Sequence, residues 1–157
     1  MGTDHVGTGF VPWSPLGQGF LAGAFRAMES FAPDDMRLTM PRFSEPANLQ
    51  SNLRLVDEVK AIADEAGVTP AQAVLAWLMA QGEDTVPIPG TRHVAYVEEN
   101  TASVDVQLTP DHLARLSRLP AARGDRLSPE QMAILDWKTT CRQSNPLLGY
   151  RCKEPEH

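Results

Sequence analysis

The sequence predicts an α/β fold, and three observations carry that expectation. Residues 9–14 (Gly-Phe-Val-Pro-Trp-Ser) and 85–88 (Thr-Val-Pro-Ile) are short apolar runs bounded by Gly and Pro, the signature of buried strands. Helical patterns lie between and after them. One of these, over residues 70–81, carries almost no charge and is expected to be buried on most sides. Parallel strands joined by buried helices form the α/β pattern, but two strands alone complete no such fold.

Pro12 confines the first strand to an unusual place in a sheet. Residues 15–48 are rich in Gly and Pro and lack a sustained period. They read as a long ordered loop with room for one helical turn, and loops of that length usually carry function. Leu53, Val56, Val59, Ile62, Ala63 and Ala66 then recur at helical spacing, with Asp57, Glu58, Lys60 and Asp64 on the opposite face. Gly67 stops that helix. Thr69 caps the next, with Pro70 at its first position and Gln72 completing a capping box. Gly82 ends it, and Pro89-Gly90-Thr91 turns out of the second strand. A third helix is expected over 94–103. A fourth runs from Thr109-Pro110 to about Leu119, and Ser128-Pro129-Glu130-Gln131 repeats the capping signature before one more.

The 157 residues are enough for one domain with a core, and no internal repeat is present. A net charge of −6, from 14 Lys plus Arg against 20 Asp plus Glu, argues against nucleic acid or an anionic membrane as partner. The longest apolar run, Ala73 to Ala80, falls far short of the roughly 20 residues a bilayer needs. No secretory or myristoylation signal is expected at the N-terminus. Cys141 and Cys152 make no disulfide framework, and the four His are scattered singly. No metal site is expected, and a reducing cytoplasm is the expected location.

Two motifs compete for attention. Gly17-Gln18-Gly19-Phe20-Leu21-Ala22 follows a strand, with Asp34 and Asp35 at nearly the distance of a ribose-binding acid. No helical pattern follows the glycines, and no second strand precedes Asp34, so a Rossmann site is not expected. Residues 61–78 imitate a helix-turn-helix, but residues 70–79 hold no Lys or Arg to meet phosphates. A buried hairpin is the better reading.

A third pattern comes in two pieces. Trp13-Ser14-Pro15-Leu16-Gly17 leaves the C-terminal end of the first strand, and Ile88-Pro89-Gly90-Thr91-Arg92 leaves the same end of the second. Ligands of barrels and open α/β sheets sit at that end. Trp13 offers a face for stacking and Ser14 a hydroxyl. Gly90-Thr91 opens a helix whose N-terminus favours an anion, and Arg92 adds a positive fork suited to phosphate.

PWSPLGQGFLAG, PRF at 41–43, TPAQAVLAWLMAQ, VPIPGTR and YVEEN together resemble the C-terminal part of the aldo-keto reductases, in order and spacing, from about Gly9 to Arg126. The resemblance implies strands 7 and 8 of a (β/α)8 barrel with their helices, over residues 1–136, followed by an atypical tail over 137–157. It implies NADPH as cofactor and carbonyl reduction by hydride transfer as the family's reaction. Trp13 falls where the family stacks an aromatic on the nicotinamide. Ser14, Pro15, Leu16 and Gln18 fall on the loop against the pyrophosphate. Gly90, Thr91 and Arg92 fall around the 2′-phosphate, and Glu99 and Asn100 near the adenine and ribose. Arg42 is a weaker candidate for the same cofactor.

The family's catalytic Tyr, Asp, Lys and His have no counterpart in these motifs. The expectation is therefore a cofactor-holding fragment, inactive alone, whose partner is the missing N-terminal half or a second copy of the chain. Two alternatives stay open: a non-catalytic reductase-like binding or regulatory subunit, and a helix-turn-helix module.

Overall fold

The computed structural model describes residues 9–128 and 130–132. They form two compact units, residues 9–24 with 56–116, and residues 25–55 with 117–128 and 130–132. The expected tail over 137–157, with both cysteines, lies outside the described residues. No helix among the described residues is long and apolar enough to cross a membrane.

In the first unit, the two segments read as strands meet through isolated parallel bridges, Phe10 with Thr85 and Trp13 with Ile88. No continuous strand forms among the described residues. Phe10 N donates to Asp84 O at 2.8 Å, Val86 N to Phe10 O at 2.9 Å and Ile88 N to Pro12 O at 3.2 Å. Both bridges share one register. The gap between them falls at Pro12 and Pro87, neither of which has an N–H to donate. The strand expectation is corrected on that ground: the pairing is real, but proline interrupts the ladder.

Helix α3 (Pro70–Met79) is the centre of this unit. The Thr69 side chain accepts from Gln72 N, and the Gln72 side chain accepts from Thr69 N, so both halves of the capping box are made. Ala71 and every residue from Ala73 to Leu78 are buried. A helix so enclosed has no face left to enter a DNA groove, which removes the basis of the helix-turn-helix reading. It ends two residues earlier than expected, with Ala80 as its cap.

Gly67, at φ +69°, ends the preceding helix, and Val68 N closes back on Ala63 O. Helix α4 (Val94–Thr101) passes into a 3₁₀ turn, Ala102–Asp105, and α5 covers Pro110–Ser117. Arg115 grips Glu65 through both terminal guanidinium nitrogens, and this pairing holds the Glu65 carboxyl below its ordinary range.

Residues 15–48 are more ordered than the loop expectation allowed. They contain two 3₁₀ turns, Met28–Ser30 and Met36–Thr39, the short helix α1 (Pro41–Ser44), and the start of α2 (Pro46–Ala66). The apolar period of α2 stalls at Asn52, which occupies a core position with only 1 % exposure. A polar residue on the buried stripe is what hid the first two turns of this helix.

Asn52 belongs to the second unit and is fully engaged there. Its Nδ2 donates to Arg42 O at 3.2 Å and Arg123 O at 2.9 Å, while Oδ1 accepts from Arg123 N at 2.7 Å. It ties the segment around Arg123 to α1. Gly124, at φ +80°, completes that junction: a Cβ there would lie 2.7 Å from Asn48 Nδ2 and 2.9 Å from the Arg42 backbone nitrogen. Arg42 Nε donates to Gly124 O at 3.1 Å. The Ser128 capping box is also formed, with Met132 N donating to Ser128 O at 2.8 Å and Gln131 N to the Ser128 hydroxyl.

An aromatic cluster also lies in this unit. The Phe25 ring lies edge-on to Phe31 at 4.6 Å and to Phe43 at 5.3 Å. The Arg37 guanidinium sits 4.1 Å over Phe31 and 4.9 Å over Phe25. Asp35 fixes it there by accepting from Nε at 2.9 Å and Nη2 at 2.6 Å, and also caps the Met36–Thr39 turn through Arg37 N.

Two predictions follow from the second unit. Replacing Asn52 with Leu leaves the Arg123 N–H and two carbonyls without their partner, and should cost about 3 kcal/mol of stability in urea unfolding. An unchanged midpoint would show that the junction contributes nothing. The Asp35 carboxyl is lowered from 3.8 to about 2, chiefly by its side-chain bond to Arg37. Its folded value lies below its unfolded one. The stabilisation is therefore full above pH 4 and drains away as the pH falls through about 2. Asp35→Asn should flatten that part of the acid-unfolding curve; an unaltered acid limb would refute it.

Candidate functional site

The chain leaving Trp13 folds into a run of tight turns rather than a helix. Gly17 N bonds Ser14 O, Leu21 N bonds Leu16 O and Ala24 N bonds Gly19 O. Gly17, Gly19 and Gly23 take positive φ, as the turns require. The absence of a helix after these glycines confirms that the G-x-G-x-x-A string is not a Rossmann loop. Ser14 (φ 52°) and Gln18 (φ 54°) also take the left-handed conformation, at a cost of about 1 kcal/mol or more each. Gln18 Nε2 donates to the Ser14 hydroxyl at 3.1 Å, holding the two strained residues together. Strain retained by two residues that share a hydrogen bond marks this turn as a place where side-chain direction matters.

On the other side, Ile88 leads into Pro89-Gly90-Thr91-Arg92. The Thr91 hydroxyl accepts from His93 N at 3.1 Å, setting the entry to α4. A Cβ on Gly90 would meet nothing within 4 Å, so this glycine is open to approach rather than packed. Arg92 is exposed, whereas Glu99 and Asn100 further along α4 are half-buried.

These two walls enclose an open cleft of about 1040 Å³. All ten residues selected from sequence line it: Trp13, Ser14, Pro15, Leu16, Gln18, Gly90, Thr91, Arg92, Glu99 and Asn100. The parallel register is what brings them together, because it sets both loops at the same end of the paired segments. Arg42 is not among the lining residues; it lies in the other unit, bonded to Gly124.

The cleft also uses residues that sequence reasoning missed. His93 and Tyr96 pair edge to face at 5.4 Å and line it, as do Gly19, Ala22, Ala24, Ala71, Ile88 and Pro89. Tyr96 could have been found, since it stands three residues before Glu99 on one helix. Ala71 could not, because its helix reads as core throughout.

The volume lies at the upper end of the roughly 300–1,000 Å³ typical of small-molecule sites. An exposed indole stands on one loop, and a guanidinium at a helix entrance stands on the other. Such a cleft suits an elongated ligand with an aromatic part and an anionic part. Among the described residues no cluster of three or more His, Cys, Asp or Glu could hold a metal ion.

The profile of the Aldo/keto reductase family matches residues 1–120. The chain is 38% identical over 115 residues to the aldo-keto reductase str7 of Strobilurus tenacellus, covering 73% of this chain and 34% of that protein. It is 44% identical over 99 residues to the aldo-keto reductase yakc [NADP(+)] of Schizosaccharomyces pombe, covering 63% of this chain and 29% of that one. The chain thus spans about a third of the length of these curated relatives. With residues 1–120 matched, the chain belongs to the aldo/keto reductase family, whose membership implies the (β/α)8 fold.

Proposed function

We propose that this chain is the C-terminal, NADPH-holding part of an aldo-keto reductase. In this reading residues 1–136 are its last two strand–helix units and residues 137–157 an atypical tail. The observation that carries the reading is the convergence of all ten selected residues on one cleft. The name of the fission-yeast relative, which includes NADP(+), supports the choice of cofactor.

Within the cleft, Trp13 stacks on the nicotinamide, and the turn from Ser14 to Gln18 carries the pyrophosphate. Arg92, with Gly90 and Thr91, meets the 2′-phosphate, while Glu99 and Asn100 receive the adenosine. When bound, NADPH supplies the hydride for a carbonyl carbon. The residues of this chain bind and orient; the acid that protonates the carbonyl oxygen comes from elsewhere. Val11, Trp13, Val86 and Ile88 are all about half exposed or more, so the paired segments offer an apolar face for the remaining barrel or for a second copy. A cytoplasmic setting suits this chemistry.

Two measurements test this reading. The purified chain should show no NADPH-dependent reduction across aliphatic, aromatic and quinone-type carbonyls, because uniform ground-state contacts do not speed the chemical step. Turnover that survives repeated purification would overturn the view of an inactive part. By calorimetry, NADPH should bind about ten- to a hundredfold more tightly than NADH, the range expected of one charge-assisted contact. Arg92→Ala should remove most of that preference. Equal affinities in the parent chain would show that Gly90 to Arg92 is not a 2′-phosphate site.

A further inference from the structure

Helix α4 carries Tyr96, Glu99 and Asn100 into the cleft, yet none of its own residues is buried. Core packing of its side chains therefore does little to hold it. Its attachment to α3 includes a polar one. Gln72 Nε2 donates to the backbone oxygen of Glu99 at 3.2 Å. Glu99 lies in the last turn of α4, just before the chain passes into the 3₁₀ turn, so this bond ties the C-terminal end of α4 to α3. Next to it the Asn100 oxygen accepts from the buried Ser103 hydroxyl at 2.6 Å. The backbone of both selected cleft residues on α4 is thus held by a side chain.

Gln72 does this with the half of its amide that the capping box leaves over. The cap needs only an acceptor, and Oε1 supplies it by accepting from Thr69 N at 3.1 Å. Glu would serve the cap equally well. Only an amide both accepts from Thr69 and donates to Glu99. Its neighbour Ala71 lines the cleft itself, small enough to leave the space beside α4 open.

We infer that Gln72 is a positioning residue for the nucleotide wall of the cleft, holding α4 through the Glu99 carbonyl. The inference rests on the nucleotide reading proposed above for the site it acts on. Gln72 does not line the cleft and acts only through α4. Without its donor, α4 keeps its sequence and its contacts to ligand but loses one anchor. The adenosine end then weakens while the nicotinamide end beside Trp13 does not.

The test compares Gln72→Glu with Thr69→Ala in the full chain. The first keeps an acceptor for Thr69 N and removes the donor to Glu99; the second removes the cap and keeps that donor. Hydrogen exchange is read separately over α3 and α4, and adenosine 2′,5′-bisphosphate and nicotinamide mononucleotide are titrated as separate probes. In Gln72→Glu, α4 amides should exchange about five- to tenfold faster with α3 unchanged, as expected for losing one hydrogen bond. Affinity for the bisphosphate should fall by about the same factor, with the mononucleotide unaffected. Thr69→Ala should accelerate exchange in α3 and leave bisphosphate affinity intact. Unchanged α4 exchange in Gln72→Glu, or equal losses in both variants, would overturn the positioning role. Faster α4 exchange in Gln72→Glu with no binding of either probe to the parent would instead overturn the nucleotide reading and leave the anchoring by Gln72 standing.

Discussion

Three backbone hydrogen bonds join Phe10 and Pro12 to Asp84, Val86 and Ile88, and they set two distant segments parallel in one register. The cleft depends on that direction. In a parallel pair both chains leave at the same end, so the turn after Trp13 and the loop after Ile88 face one another. An antiparallel pair would have sent them to opposite ends and separated Trp13 from Arg92. Proline at position 12 removes a donor from the middle of the pair and leaves it as bridges, yet the register survives because Phe10, Val86 and Ile88 retain theirs.

Around that pair the molecule uses polar side chains where apolar packing alone would not specify a geometry. Gln72 bridges the α3 cap and α4, Gln18 holds Ser14, and Asn52 joins α1 to the segment around Arg123. Each satisfies backbone or side-chain groups that folding would otherwise leave unpaired, and each is directional in a way that a leucine is not. The Arg37 cluster follows the same logic in the second unit. Two rings hold the guanidinium face and a carboxylate holds its edge, so a stretch rich in Gly and Pro becomes an ordered turn.

The exposed side chains of Phe10, Val11, Val86 and Ile88 are the complement of this order. Relatives three times the length of the matched region share the family, whose fold closes its strands into a barrel. The half-exposed apolar residues on the two-bridge pairing present surface that packing within the described residues does not cover.

Local signals were legible wherever a single residue settles a local question. The Thr69–Gln72 capping box, the stop at Gly67 and the uncharged run of α3 were all readable, because caps and apolar periodicity act within a few residues. Of the ten cleft residues, the eight on the loops were legible because those loops follow directly from the paired segments, while Glu99 and Asn100 on α4 were marked only by the family resemblance. Other features were decided only by tertiary contact. Asn52 breaks the apolar period of α2 because its partners, Arg42 and Arg123, are distant in the chain, so the first two turns of that helix carried no readable stripe. Arg42 Nε bonds Gly124 O, a partner that only the folded chain brings near. Tyr96 and Ala71 enter the cleft, and Gln72 reaches Glu99, for the same reason. Periodicity reports which face of a helix is apolar, but which neighbour that face meets depends on contacts between residues far apart in sequence.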